Sequence, residues 1–218
     1  MAVITISRQF GAGGKSLGEM LADSLGYTLI DEVLIEYAAQ RAEVSTDWMR
    51  YLEKEAGGSI LRYISGFAPI RKSYLYKTII DKQGFIDGHH YVELLDDIIR
   101  QIAAEDNVVI IGRGGQYILQ SHPDTVHLLL VANQADRIDF LRRKYELDPL
   151  QAKHIIARQD KIRSNLFRYF GKEDYDNPLL YNLVLNMSRI GMDEALHLVH
   201  ALLQKRSSRG IRSAQASG

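Results

Sequence analysis

Strand-type and helix-type patterns alternate along this chain of 218 residues, which predicts an α/β fold with a mainly parallel sheet flanked by helices. Two further observations agree. Residues 108–111 form a continuous β-branched apolar run, the pattern of a strand buried on both faces of a parallel sheet. The opening residues 3–6, also β-branched, run into a glycine-rich turn and then straight into an amphipathic helix.

The elements follow in order. Residues 15–25 carry Leu17, Met20, Leu21 and Leu25 on one face and stop at Gly26, which suits a left-handed C-cap. Residues 28–30 read as a short buried strand ending at Asp31. Further strands are expected at 108–111, 126–131 and 181–185, with helices at 32–43, 92–104, 136–145, 150–164 and 193–205. Residues 32–106 hold about three helical patterns without a convincing strand, broken at Gly57-Gly58, around Gly66 and around Gly84. That stretch is too long for a simple crossover and reads as an inserted helical subdomain. The core is therefore expected at 1–31 and 107–205, and the Ser-, Gly- and Arg-rich tail 206–218 is expected to be disordered.

Composition narrows the function classes. Lys plus Arg and Asp plus Glu are equal at 27 each, so no global field favours a nucleic-acid backbone or an anionic membrane. There is no cysteine, which excludes disulfides, thiolate zinc sites and cysteine nucleophiles. No run approaches membrane-spanning length, and no basic-then-apolar leader precedes the first strand, so a cytoplasmic protein is expected.

The stretch VITISRQFGAGGKSL carries the chemistry. Gly11, Gly13 and Gly14 let the backbone turn several N–H groups toward one point, and the following helix aims its positive end there. Lys15 and Ser16 add a mobile cation and a hydroxyl able to sit on Mg²⁺. Two registers are open. The pattern G-x-x-x-x-G-K-[ST] fits Gly14-Lys15-Ser16 with Gln9 at its first glycine; alternatively Gly11-Ala12-Gly13 supply the loop glycines, Gly14 takes the lysine position and Arg8 the first. Either way Arg8 and Lys15 flank the loop as candidate cations. Gly11, Asp31 and Arg113 all follow strand ends and are expected to face one crevice. A basic and aromatic stretch, RQDKIRSNLFRYFGK at 158–172, suits a lid closing on phosphates. His89-His90 invites a metal reading, but adjacent helical residues diverge and no acidic partner has ligand spacing. Tyr63, Tyr74 and Tyr76 are either core residues or a stacking surface for a base.

With those residues in hand, the chain resembles the cytidylate kinase-like family, a nucleoside-monophosphate kinase branch of the P-loop NTPases. ISRQFGAGG is similar to that branch's own loop, LGYTLID to its second strand, VVIIGRGG to its third strand and the Gly-Arg turn, and RQDKIR to its lid. The resemblance implies a P-loop NTPase fold with a helical monophosphate-binding insertion and a lid. It further implies ATP and Mg²⁺ as cofactors, with Arg8, Gly11, Ala12, Gly13, Gly14, Lys15 and Ser16 binding the donor and Ser16 on the metal. The catalytic set it implies is Lys15, Asp31, Arg113, Arg158, Lys161 and Arg163: Asp31 between donor and acceptor, Arg113 on the acceptor phosphate, the last three closing with the lid. Such chemistry is positioning plus electrostatics and needs no nucleophilic side chain.

The chain also departs from the family pattern. Glu32 and Glu36-Tyr37 stand where a hydroxyl residue and Tyr-Arg are expected, and Gly114 replaces the aspartate of the Gly-Arg-Asp turn. Ile162 and Asn165 align with lid residues that contact cytosine and phosphate. Three functions follow as expectations: a nucleoside-monophosphate kinase with a pyrimidine nucleotide as default acceptor, a kinase for another small acceptor, or a nucleotide-binding module without turnover.

Overall fold

The computed structural model describes residues 2–31, 88–172 and 174–215. Five strands, β1 (Val3–Arg8), β2 (Thr28–Ile30), β3 (Val108–Ile111), β4 (Thr125–Val131) and β5 (Leu183–Asn186), form one sheet in the order β2-β3-β1-β4-β5. Every pairing is parallel, with Ile4 opposite both Val109 and Val126. β1 is thus central and its C-terminal end opens on the middle of one sheet edge, the place where parallel sheets hold ligands.

The helices cover both faces. α1 (Gly14–Leu25) buries Leu17, Gly18, Leu21 and Ala22, spaced as one helical face, against β3 and β1. It joins Ile4, Ile6, Val109, Val126, Leu128 and Leu130 in one core, closed by Ala195 and Val199 of the last helix, α6 (Met192–Gln215). The other face is covered by α2 (Gly88–Ala103), whose Tyr91, Leu94, Leu95, Ile98 and Ile99 repeat at helical spacing and are all buried with Val3, Ile30, Val108 and Ile110. Side chains of this size contribute about 1.5–3 kcal/mol each when buried. This corrects the expected boundary: residues 88–103, placed by the sequence in an insertion spanning 32–106, belong to the sheet core. Periodicity announced the helix and its apolar face but not the body against which that face packs.

α3 (Gly115–Ile118) is a short turn of helix after β3. α4 (Gln134–Tyr145) and α5 (Pro149–Tyr169) form a hairpin; α5 begins with a capping box in which Asp148 accepts the N–H groups of Leu150 and Gln151 and Gln151 returns the bond. The expected lid at 158–172 is therefore mostly the second half of one continuous helix. Where the sequence leads to disorder from residue 206, the backbone of α6 is helical to Gln215. The Arg206 guanidinium donates to the carbonyls of Pro123 and Thr125 at 3.0 and 2.8 Å, and a helix already nucleated extends at one hydrogen bond per added residue. Expectations placed on 32–87, including the helix at 32–43, Glu32, Glu36-Tyr37, Tyr63, Tyr74 and Tyr76, lie outside the described residues, as do 216–218.

Candidate active site

β1 delivers the chain to the centre of the sheet edge, and the loop that follows is held from three sides. The Gln9 N–H extends the ladder to the Leu130 carbonyl at 2.9 Å, and its side-chain oxygen accepts the Ala132 N–H at 3.0 Å. Arg137 of α4, almost fully buried, donates to the Phe10 carbonyl at 3.2 Å and to both Asp160 oxygens at 3.1 and 2.8 Å. Asp160 in turn accepts the Phe10 N–H at 3.4 Å. The loop is thereby tied to both helices of the α4–α5 hairpin.

The glycines are required where they stand. Gly13 has φ +84°, and a Cβ there would lie 2.7 Å from Met192 Cε. A Cβ on Gly14 would lie 2.8 Å from Arg8 Cγ, so the Arg8 side chain runs across the loop; its Nη1 then reaches Gly112 at the end of β3. α1 starts at Gly14, which puts Lys15 and Ser16 in its first turn. The backbone N–H groups of such a turn form a cradle for an anion.

A cavity of about 660 Å³ joins this cradle to the neighbouring strand ends. Its walls include Arg8, Gly11, Gly13, Gly14, Lys15 and Ser16 from the loop, Asp31 after β2, and Gly112 and Arg113 after β3. The convergence expected of Gly11, Asp31 and Arg113 is present. Ala12 is buried in the core below α1, so it contributes only backbone to the loop. Lys15 Nζ stands 3.4 Å from Asp31 Oδ2, across the space between β1 and β2. Arg113 occupies the left-handed region at φ +54°, between Gly112 and Gly114, both at +76°. A non-glycine side chain in that conformation marks a turn whose surroundings over-determine it. Gly114 explains one departure from the family pattern: a Cβ there would fall 2.4 Å from the Phe170 ring, so the aspartate seen elsewhere has no room.

The three expected lid cations separate. Arg163 lines the cavity, while Arg158 and Lys161 are exposed and are not among its lining residues. The reason is helical phase: Ile155, Gln159, Ile162, Arg163 and Leu166 share the inward face of α5, and positions 158 and 161 fall outside it. Arg163 is clamped. It makes a bidentate pair with Asp176, donates to Ser7 Oγ at 3.0 Å, and lies beside the stacked Phe167 and Tyr175 rings, 5.1 and 4.8 Å from their centroids. Three of its five N–H donors are thus engaged among the described residues, leaving two for a ligand. Beneath it, burial pushes the Tyr117 and Tyr181 hydroxyls above the ordinary phenol range. Ile162 lines the cavity and Asn165 does not.

Lys144, Ser7, Asp160 and Asp176 were missed in the sequence. Lys144, in the last turn of α4, donates to Ser16 Oγ at 2.7 Å. A signal existed, since Arg137, Phe140, Leu141 and Lys144 fall on one helical face. Among the described residues no cluster of three His, Asp or Glu could hold a metal alone. Ser16 and Asp31 offer hard oxygen donors of the kind Mg²⁺ prefers. No described helix is long and apolar enough to cross a membrane.

Comparison with known proteins agrees with this geometry. The profile of the cytidylate kinase-like family matches residues 3–189. A search of curated proteins finds no match. Among solved structures, an uncharacterized protein from Eubacterium ventriosum is similar with TM-score 0.63 and 15% identity, over 94% of this chain and 99% of that one. A gluconokinase from Sinorhizobium meliloti is similar with TM-score 0.55 and 11% identity, over 97% of each chain. A shikimate kinase from Bacteroides thetaiotaomicron is similar with TM-score 0.51 and 16% identity, over 93% of this chain and 98% of that one. At these identities the likeness is one of fold: a P-loop NTPase α/β fold.

Proposed function

This chain belongs to the cytidylate kinase-like family, and we propose that it transfers the γ-phosphoryl group of ATP to a nucleoside monophosphate, with a pyrimidine nucleotide as the default acceptor. The observation that carries the reading is the single cavity joining a glycine cradle at the head of α1 to Asp31 and Arg113 at adjacent strand ends. The cradle suits the donor's phosphates, and Arg113, a planar fork of donors, suits an acceptor phosphate on the far side. Asp31, 3.4 Å from Lys15 Nζ in the same cavity, orients the acceptor or the metal's water shell. Arg163, held rigid by Asp176 and two rings, presents its remaining donors to the charge that spreads over the transferring group. Mg²⁺, when bound, neutralises phosphate charge next to Ser16. Arg158 and Lys161, exposed on the outer face of α5, contribute through closure of this hairpin or not at all.

A second reading, transfer to another small acceptor, is favoured by Ile162. An apolar side chain lines the cavity where the family alignment expects a base-contacting polar group. A coupled ADP-release assay across CMP, dCMP, UMP, AMP and GMP tests the first reading. Turnover of one or more supports it; ATP binding with no turnover of any of the five refutes it and shifts the weight to another acceptor or to a non-catalytic module.

A further inference from the structure

Three cations surround the cradle, and their resting partners differ. Lys15 is paired with the Asp31 carboxylate, and the Arg8 guanidinium lies over Gly112. Among the described residues Lys144 meets only a neutral hydroxyl, Ser16 Oγ at 2.7 Å, and the Phe140 ring, with its Nζ 5.8 Å from the centroid. It forms no ion pair among the described residues, although Arg142 and Arg143 in the same turn both pair with Asp139. A lysine ammonium carries three donors, so this one is under-used where it stands. It also occupies a lone pair of the hydroxyl best placed to meet Mg²⁺.

We propose that Lys144 is a donor-phosphate contact, which exchanges the Ser16 hydroxyl for a phosphate oxygen when the metal–nucleotide arrives. The proposal rests on the reading of the cradle as an ATP site. The exchange needs little movement, because Ser16 and the cradle's N–H groups belong to the same first turn of α1. It gains energy, because a bond from an ammonium to an anion is roughly twice as strong as one to a neutral acceptor. It also frees the Ser16 oxygen for the cation. The side chain comes from the α4–α5 hairpin rather than from the loop, so the contact links hairpin position to donor occupancy.

The test is calorimetric binding of Mg·ATP and of Mg·tripolyphosphate, a probe without base or ribose, to the full chain and its variants. Lys144→Gln should weaken both ligands by about tenfold, the scale of one charged hydrogen bond at a solvent-accessible site. The loss should shrink at high salt, Lys144→Arg should restore most of the affinity, and the melting temperature should not change. Arg142→Gln, removing an exposed charge from the same helix, should leave both affinities within about twofold. If the wild-type chain binds Mg·ATP and Lys144→Gln binds it equally well, Lys144 is not a phosphate contact while the functional reading stands. Equal losses in Lys144→Gln and Arg142→Gln would reduce the effect to a general field and overturn the proposal. No binding of Mg·ATP by the wild type would overturn both.

Discussion

Replacing Gly114 by alanine adds one methyl group and should cost this fold several kcal/mol. Two costs combine. Gly114 has φ +76°, where an L-residue is disfavoured by roughly 1–2 kcal/mol. The new Cβ would lie 2.4, 2.7 and 2.9 Å from three atoms of the Phe170 ring, well inside contact distance. The ring cannot simply turn aside, because Tyr117 packs on it at 5.9 Å between centroids and it seals the edge of the core under α2. Overpacking of this kind costs about 1–3 kcal/mol, so the total is about 2–5 kcal/mol. For a domain of this size each kcal/mol lowers the melting temperature by about 2–4 °C, which predicts a fall on the order of 10 °C. Circular dichroism melts of Gly114→Ala, Phe170→Ala and the double variant separate the two costs. The double variant should be more stable than the sum of the single losses by about 1 kcal/mol or more, because truncating the ring removes the clash. A Gly114→Ala protein melting within about 2 °C of wild type, or strictly additive losses, would refute the claim that Phe170 dictates glycine here.

Gly13→Val should abolish Mg·ATP binding in a folded protein, since φ +84° is a conformation that a β-branched residue does not adopt without distorting the loop; unchanged affinity by calorimetry would remove the cradle. Arg113→Ala should raise the KM for every accepted monophosphate by about tenfold or more, while preference for CMP over UMP or AMP stays shallow, because phosphate binding is independent of the base and Ile162 cannot hydrogen-bond to one. A thousandfold or greater kcat/KM preference for CMP would contradict that placement of Ile162. Stability should fall in mild acid. His127 is buried, its Nδ1 2.6 Å from Thr5 Oγ1, and burial pushes it down to about 4. Its unfolded-state value is the higher one, so the unfolded chain takes up the proton first, and this contribution is full above about pH 6.5 and lost progressively toward pH 4. Denaturant titrations at pH 7 and 5 should show the loss, and His127→Gln should flatten the difference; an equal slope in the variant would assign it elsewhere.

Sequence by itself determined the parts governed by local rules. The cradle was legible because strand, glycine turn and helix are adjacent in the chain, and the strands at 28–30 and 108–111 were legible because a buried parallel strand is a continuous apolar run. Asp31 and Arg113 followed from standing one and two residues after those strands, since parallel strands all deliver their C-terminal ends to one edge. The basic stretch at 158–172 is less legible: helical phase puts Arg163 on the cavity and turns Arg158 and Lys161 to solvent. Only tertiary structure decided that α2 closes the sheet core, that Phe170 excludes a side chain at Gly114, and that Asp176 and Ser7 clamp Arg163. It also brought Lys144 to Ser16 across 128 residues of chain. Local patterning specifies which face of an element is apolar, but the partner of that face is chosen by packing among all the elements at once. Contacts between residues far apart in the chain therefore exist only after the sheet has set the relative positions of its helices.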